Sequence, residues 1–385
     1  MKQSNHLLLK IIGAIILGIL LGQYINQEFL RVFITFNVLF GQFLGFCIPL
    51  IIIGLIVPSI GKLGNSASKM VLVVAFLAYI STLLAGFSSY GVSMLTFPNL
   101  LQGESLGNIS ETPAIEPYFS LKIPPMFDVM TALVLAFTIG IGVSKLKNSN
   151  LLKVFEEFET IITNVIAKIL IPLLPLYIFG VFLGMTKAGD VFTIIEIFVK
   201  IIAIIFGLHI VYLIFLFGIA GIVSKKNPFK LLYNVLPAYF TALGTQSSAA
   251  TIPVSLQQAI KNGVSEKVAK LVIPLCATIH LSGSALKIVA CTIALMIVQQ
   301  IPFDFWGFTG FILMLGIAMV AAPGVPGGAI MAAIGIIGSM LGFDEKNQAL
   351  MISLYIAMDS FGTAGNVTGD CAIAIITDRI FKNKN

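Results

Sequence analysis

Apolar residues dominate long blocks of this chain. Over 7–25, 33–60, 70–96, 126–146, 154–186 and 191–223 they form nearly continuous runs. Each is close to or above the about 20 residues a helix needs to cross a bilayer. The pattern then changes. The run 228–260 is interrupted by Gly244-Thr245-Gln246-Ser247-Ser248 and then Pro253. The run 266–300 carries His280-Leu281-Ser282-Gly283-Ser284 in its middle, and 306–343 is broken at Pro323–Gly328. The last run, 347–377, contains Asp359, Asn366 and Asp370. Continuous spanning helices are therefore predicted for the first half and interrupted helices for the second. A central breaker cluster is what a helical hairpin requires, entering and leaving on one side. Backbone exposed at such a turn is tolerated at membrane depth only inside protein or against a wet cavity. Paired interruptions of this kind point to a substrate site near the midplane.

Composition supports a polytopic membrane protein. Of 385 residues, 58% are hydrophobic and 10% charged, against roughly 25% charged in soluble domains. This excludes a cytosolic enzyme and a disordered chain. The first run follows a Lys and has no small-residue cleavage site, so it reads as a retained helix rather than a removed signal. Cys47, Cys276, Cys291 and Cys371 lie in apolar surroundings without metal-ligand spacing and read as free buried thiols.

The net charge of +6 is a topological signal rather than a nucleic-acid footprint. Lys2 and Lys10, Lys62 and Lys69, Lys145 to Lys153, Lys225 to Lys230, and Arg379 to Lys384 fall on one side if the spans alternate. Both termini are then cytoplasmic. The turn at Ser247-Ser248 then enters from the cytoplasm and that at Pro323–Gly328 from outside. Two hairpins from opposite faces suggest an inverted repeat. The compact loops suit a bacterial inner membrane, with lipid as the surrounding partner.

The candidate chemistry lies in the second half. Asp359 and Asp370 are eleven residues apart, about three helical turns, and so share one face with Thr363 and Asn366 nearby. A carboxylate at that depth is costly unless it meets a cation, a donor or water. Each acid reads either as a structural residue bonded to backbone or hydroxyls or, as the leading expectation, as a group neutralised by a guest, a substrate ammonium at one and a metal ion at the other. Small residues around Ser247 and Ser248, and the Gly-Pro turn at 323–328, let backbone amides approach an anionic group. His280 reads equally as an interior residue or a ligand. Ser81 and Thr82 read as helix-packing hydroxyls or ligands. No Walker, G-x-G-x-x-G, H-E-x-x-H or G-x-S-x-G motif is present, which argues against ATP-driven transport and membrane proteolysis.

At these residues the sequence resembles the dicarboxylate/amino acid:cation symporter family, which includes archaeal aspartate transporters and human glutamate and neutral amino acid carriers. The motifs are Asn366-Val367-Thr368-Gly369-Asp370 with Asp359 and Thr363 before it, Gln246-Ser247-Ser248-Ala249-Ala250-Thr251-Ile252-Pro253, Gly324-Val325-Pro326-Gly327-Gly328, and Ile273-Pro274-Leu275-Cys276-Ala277-Thr278-Ile279. Their order covers nearly the whole chain. The resemblance implies an all-α membrane fold of eight transmembrane helices plus two re-entrant helical hairpins, as in glutamate transporter homologues, assembled as a homotrimer. Residues 1–69 and 97–190 would be scaffold. Residues 70–96 and 191–385 would be a mobile transport unit that works as an elevator. Asp359 would pair with the substrate amino group, and Thr363 and Asn366 would bond its amino and carboxylate groups. Ser247 and Ser248, with Val325 and Gly327 of the second tip, would enclose the carboxylate. Asp370, with backbone at Thr278 and Asn366 and with His280, would hold Na⁺. A further Na⁺ site would use Ser81, Thr82 and the position of Ser282.

Departures from the family refine the expectation. Acidic-substrate members carry an Arg where this chain has Gly362, and some carry one where it has Gln246. Without that bidentate guanidinium the expected substrate is neutral, and Gly362 is expected to leave empty volume. The usual Asn-Met-Asp-Gly-Thr reads His280-Leu281-Ser282-Gly283-Ser284, so one ion site lacks its carboxylate and fewer ions are expected. Histidine is a side chain that can carry a proton, so His280 offers proton coupling as an alternative to sodium. The second hairpin tip is one residue short of the family's Gly-Val-Pro-Gly-Ala-Gly. The leading expectation is sodium-coupled import of a small neutral amino acid. The alternatives are an acidic amino acid or C4-dicarboxylate symporter, sodium- or proton-coupled, and an ion channel. A membrane enzyme lacks a nucleophile–base pair, because of His6, His209 and His280 only His280 is expected near the polar cluster. No nucleic-acid partner is expected.

Overall fold

The computed structural model describes residues 4–65, 69–101, 116–146, 149–188, 191–322 and 326–382. Every regular element among them is helical. The continuous apolar runs become α1 (Ser4–Gly22), α2 (Gln27–Asn65), α3 (Lys69–Leu100), α4 (Val129–Ser144), α5 (Asn150–Val165), α6 (Ile171–Ala188) and α7 (Val191–Ser224). A π-helical turn, Ile166–Leu170, joins α5 to α6, so they form one long rod. Helix α2 continues through Pro49 and Pro58 and begins in a polar turn ahead of its apolar run.

Each interrupted run splits in two. The first gives α8 (Pro228–Thr245) and α9 (Ser248–Lys261), which pack on each other. The turn between them puts Gln246 in the left-handed region and uses Ser247 as N-cap, its hydroxyl accepting from the Ala250 N–H (3.3 Å). The run 266–300 gives α10 (Glu266–Ile279) and α11 (Ser282–Val298), parted at His280-Leu281. The third gives α12 (Phe305–Ala321) and α13 (Gly328–Leu341), which also pack together. Gly327 opens α13 with φ of 74°, a conformation that favours glycine. The final run is not one helix. It divides at Met358 into α14 (Glu345–Ala357) and α15 (Asp359–Lys382). No Gly or Pro marks that break, so local sequence did not reveal it.

Two packing groups are visible. Helix α2 lies against α4, α5 and α6, and α1 lies against α6. The other group surrounds α11 and α15, which contact α3, α7, α8, α9 and α10 between them. Helices α11 and α15 are buried almost throughout. Large apolar side chains point outward elsewhere, among them Leu20 of α1, Phe76 of α3, Val134 of α4 and Ile222 of α7. An outward apolar surface around a charged interior suits a lipid environment. Among the described residues, five stretches are long and apolar enough to cross a membrane: Gln27–Lys62, Lys69–Leu100, Asn150–Lys187, Ile195–Ser224 and Glu266–Val298. Shorter apolar helices account for the other runs at Leu9–Gly22, Thr131–Ser144, Phe305–Ala321 and Gly328–Leu341. The four cysteines are buried and free.

Candidate functional site

The site is assembled on α15. Its first residue, Asp359, is buried, and both carboxylate oxygens have partners. Oδ2 accepts from the Gly327 N–H (2.8 Å), which brings the residue that precedes α13 directly onto the acid. Oδ1 faces the ammonium of Lys287 at 3.4 Å. Lys287 comes from α11, is 1% exposed, donates to the Met358 carbonyl (3.1 Å), and stands 3.8 Å from the centroid of the Tyr355 ring. A cation over an aromatic face gains electrostatically, the more so when dry. Asp359 is therefore already partnered within the chain. It has a resident cation, contrary to the expectation drawn from its depth in the last run.

Gly362 explains how Lys287 gets there. A Cβ at this position would overlap the Cε and Nζ of Lys287. The volume left by the missing side chain is thus filled, not empty as expected. The same device recurs along the helix. A Cβ at Gly365 would overlap the imidazole of His209, and one at Gly369 would come within 2.6 Å of Cε1 of His280. Glycines at 362, 365 and 369 share a face, and each admits a basic side chain from another segment. His209, from α7, thus lies against the same helix as both acids, although the sequence placed only His280 there. Its Nε2 is buried without a hydrogen-bond partner among the described residues.

Asp370, further along α15, is buried and accepts from Nδ1 of His280 at 2.8 Å. On the other side of the ring, Nε2 lies 3.0 Å from the Ser81 hydroxyl. That hydroxyl is 2.8 Å from the Tyr212 hydroxyl, which donates to the Ser81 carbonyl (2.7 Å). The imidazole thus bridges the carboxylate and a hydroxyl named as ion ligands. Ser282 and Thr82 are buried nearby in sequence, and the Thr82 hydroxyl donates within its helix to Ala78 (2.9 Å). Thr278 has an exposed side chain that donates to the Leu275 carbonyl (2.7 Å), which leaves its backbone for the role expected of it.

Asn366 joins α15 to the start of α11. Its Oδ1 accepts from the N–H groups of Gly283 (2.8 Å) and Ser284 (3.2 Å), and its Nδ2 donates to the Ser284 hydroxyl (3.1 Å). These amides are orphaned by the break at His280-Leu281, so a side chain from a different helix acts as the cap. The Tyr355 hydroxyl donates to Ser284 as well (3.0 Å). Thr363 donates to the Asp359 carbonyl (3.0 Å). Ser247 is half-buried and Ser248 buried, and Ser247 is engaged in its own turn through its hydroxyl and through a carbonyl that accepts from Thr251 (2.9 Å). Val325 lies outside the described residues.

Lys287, His209 and Tyr355 are the residues that the reading of the sequence missed. A lysine inside the run 266–300 carries its own signal, since an ionisable side chain at membrane depth is a functional candidate with a partner to be found.

The socket geometry carries a prediction. Gly365→Ala is expected to destabilise the protein by about 1–3 kcal/mol, because the rigid His209 ring cannot yield to a new methyl group. Adding His209→Ala should recover part of the loss. Thermal unfolding of the solubilised protein measures both. Wild-type stability in Gly365→Ala would show that the ring is free to move.

An all-helical protein with an apolar exterior and paired charges deep in its core has the character of an integral membrane protein, and its relatives are transporters. The chain belongs to the sodium:dicarboxylate symporter family, whose description it matches over residues 7–380. It is 26% identical to a serine/threonine transporter of Acinetobacter baylyi over 98% of each chain. It is 27% identical to human excitatory amino acid transporter 2 over 65% of this chain and 44% of that protein. A Caenorhabditis elegans excitatory amino acid transporter is 28% identical over 62% of this chain and 48% of its own. The chain thus spans nearly the full length of the bacterial relative and about half that of the animal ones.

Proposed function

We propose that the protein is a secondary active, sodium-coupled symporter that imports a small neutral amino acid. Membership of the family and the near-full-length similarity to serine/threonine transporters support this reading. The observation that carries the choice of a neutral substrate is the pairing of Lys287. The cation standing over Gly362 is already engaged by Asp359, so an acidic side chain has to compete with a carboxylate for it. The substrate ammonium binds at Asp359. Gly327, Ser247 and Ser248, and Thr363 and Asn366 complete the site among the described residues. Sodium is drawn to Asp370, with backbone oxygens at Thr278 and Asn366, and a further, weaker sodium site uses Ser81, Thr82 and Ser282, oxygen ligands suited to a hard cation. The first ion has to share Asp370 with the His280 ring.

The fold we propose in the membrane is eight spanning helices with two re-entrant hairpins, α8–α9 and α12–α13, and cytoplasmic termini. The two packing groups give a rationale for an elevator. Residues 1–69 and 97–190 form the scaffold, and residues 70–96 and 191–385 move with substrate and ions. A homotrimer in the inner membrane is the proposed assembly.

Uptake into proteoliposomes tests the reading. Labelled serine, alanine, threonine, aspartate and succinate are compared with and without an inward Na⁺ gradient. Sodium-driven accumulation of serine, insensitive to excess aspartate, is expected. Aspartate uptake that excess serine leaves unchanged would assign an acidic substrate. Current without substrate or accumulation would assign a channel.

A further inference from the structure

We propose that Lys287 is a built-in counter-ion of the substrate site: with no substrate bound it neutralises Asp359, and the empty carrier re-orients without a mobile cation in that place. The proposal rests on the reading above, that the protein is an alternating-access carrier of an amino acid, and adds the step that Lys287 serves.

An unpaired carboxylate carried through a low-dielectric environment is costly, and a substrate ammonium removes that cost only on the loaded crossing. Something must remove it on the way back. Here every charge is met from within the chain. Asp359 has Lys287 on one oxygen and the Gly327 amide on the other. Lys287 has Asp359, the Met358 carbonyl and the Tyr355 ring. Gly362 supplies the space that lets the lysine reach them. The pair is also built for exchange. At 3.4 Å it is longer than the about 2.7–2.9 Å of a tight charge-assisted hydrogen bond. Lysine is a point charge on a flexible stem, and its carbonyl and ring partners remain when the carboxylate is taken by another ammonium. A purely structural role accounts for less, because a buried ion pair seldom stabilises a fold better than apolar residues of similar volume.

Two fluxes separate the steps. Exchange of labelled for unlabelled serine needs only loaded crossings, whereas net uptake into serine-free vesicles also needs the empty return. Wild-type protein is expected to take up serine at equal initial rates with K⁺ or choline as the lumenal cation. Lys287→Met is expected to lower net uptake by at least about tenfold more than it lowers exchange, because an uncompensated buried charge opposes the empty crossing. Lumenal K⁺ should restore part of that loss, and Lys287→Arg should keep the wild-type ratio of the two fluxes. Wild-type net uptake that stops in choline would overturn the proposal, and this comparison needs no variant should Lys287→Met fail to fold. A parallel fall of both fluxes in Lys287→Met would overturn it as well. Absence of exchange with any neutral amino acid in the wild type would instead overturn the reading of the substrate.

Discussion

Asp359→Asn is expected to abolish accumulation of substrate and, at the same time, to weaken the fold. The two losses have different causes. The transport loss follows because the substrate ammonium no longer meets an anion in a buried site. The stability loss follows because Lys287, 1% exposed, is left without its acid. Removing one member of a buried pair costs about 3–5 kcal/mol, since the remaining charge is uncompensated. The amide can still accept from the Gly327 N–H through its oxygen, so the hairpin tip keeps its anchor. The double variant Asp359→Asn with Lys287→Met removes the stranded charge. It should recover much of the stability but none of the transport. Thermal unfolding in detergent and proteoliposome uptake of serine read the two effects separately. Wild-type uptake in Asp359→Asn would remove this acid from the substrate site. A double variant no more stable than the single would show that the pair is energetically silent.

The second large effect is expected at Asp370. Asp370→Asn should raise the sodium concentration needed for half-maximal uptake at least about tenfold, the equivalent of 1.4 kcal/mol of lost ion binding. The carboxylate is buried and supplies the negative charge of the proposed ion site. Hydroxyl and carbonyl oxygens cannot replace that charge. The fold should suffer less, because the amide oxygen can still accept from Nδ1 of His280, now as a neutral rather than a charge-assisted bond. The difference between those two kinds of bond is about 1 kcal/mol. Sodium titration of serine uptake, with thermal unfolding alongside, checks both parts. An unchanged sodium dependence would move the ion site away from Asp370.

Part of the local architecture around the two acids is legible in the chain alone. The spacing of Asp359 and Asp370 on one helix is a local periodicity, and both belong to α15. The breaker clusters at 244–248 and at 280–284 fall where helices end or begin. Each follows from backbone chemistry within a few residues, which a sequence carries openly. The break at Met358 was not legible. It has no Gly or Pro, and its carbonyl is held partly by Lys287, 71 residues away in the chain.

Sequence by itself determined that this is a polytopic helical membrane protein with interrupted helices in its second half, and that its unusual charges concentrate on the last run. Those properties are set by apolar run length and by residues that cannot continue a helix. Only the tertiary structure decided what meets the charges. Lys287 reaches Asp359 through the gap at Gly362, His209 occupies the gap at Gly365, and His280 spans from Asp370 to Ser81. These contacts join segments far apart in the chain, and a glycine in a sequence tells that space exists but not which side chain fills it. The reason is physical: burial of a charge is settled by its partners, and partners are chosen by how helices pack.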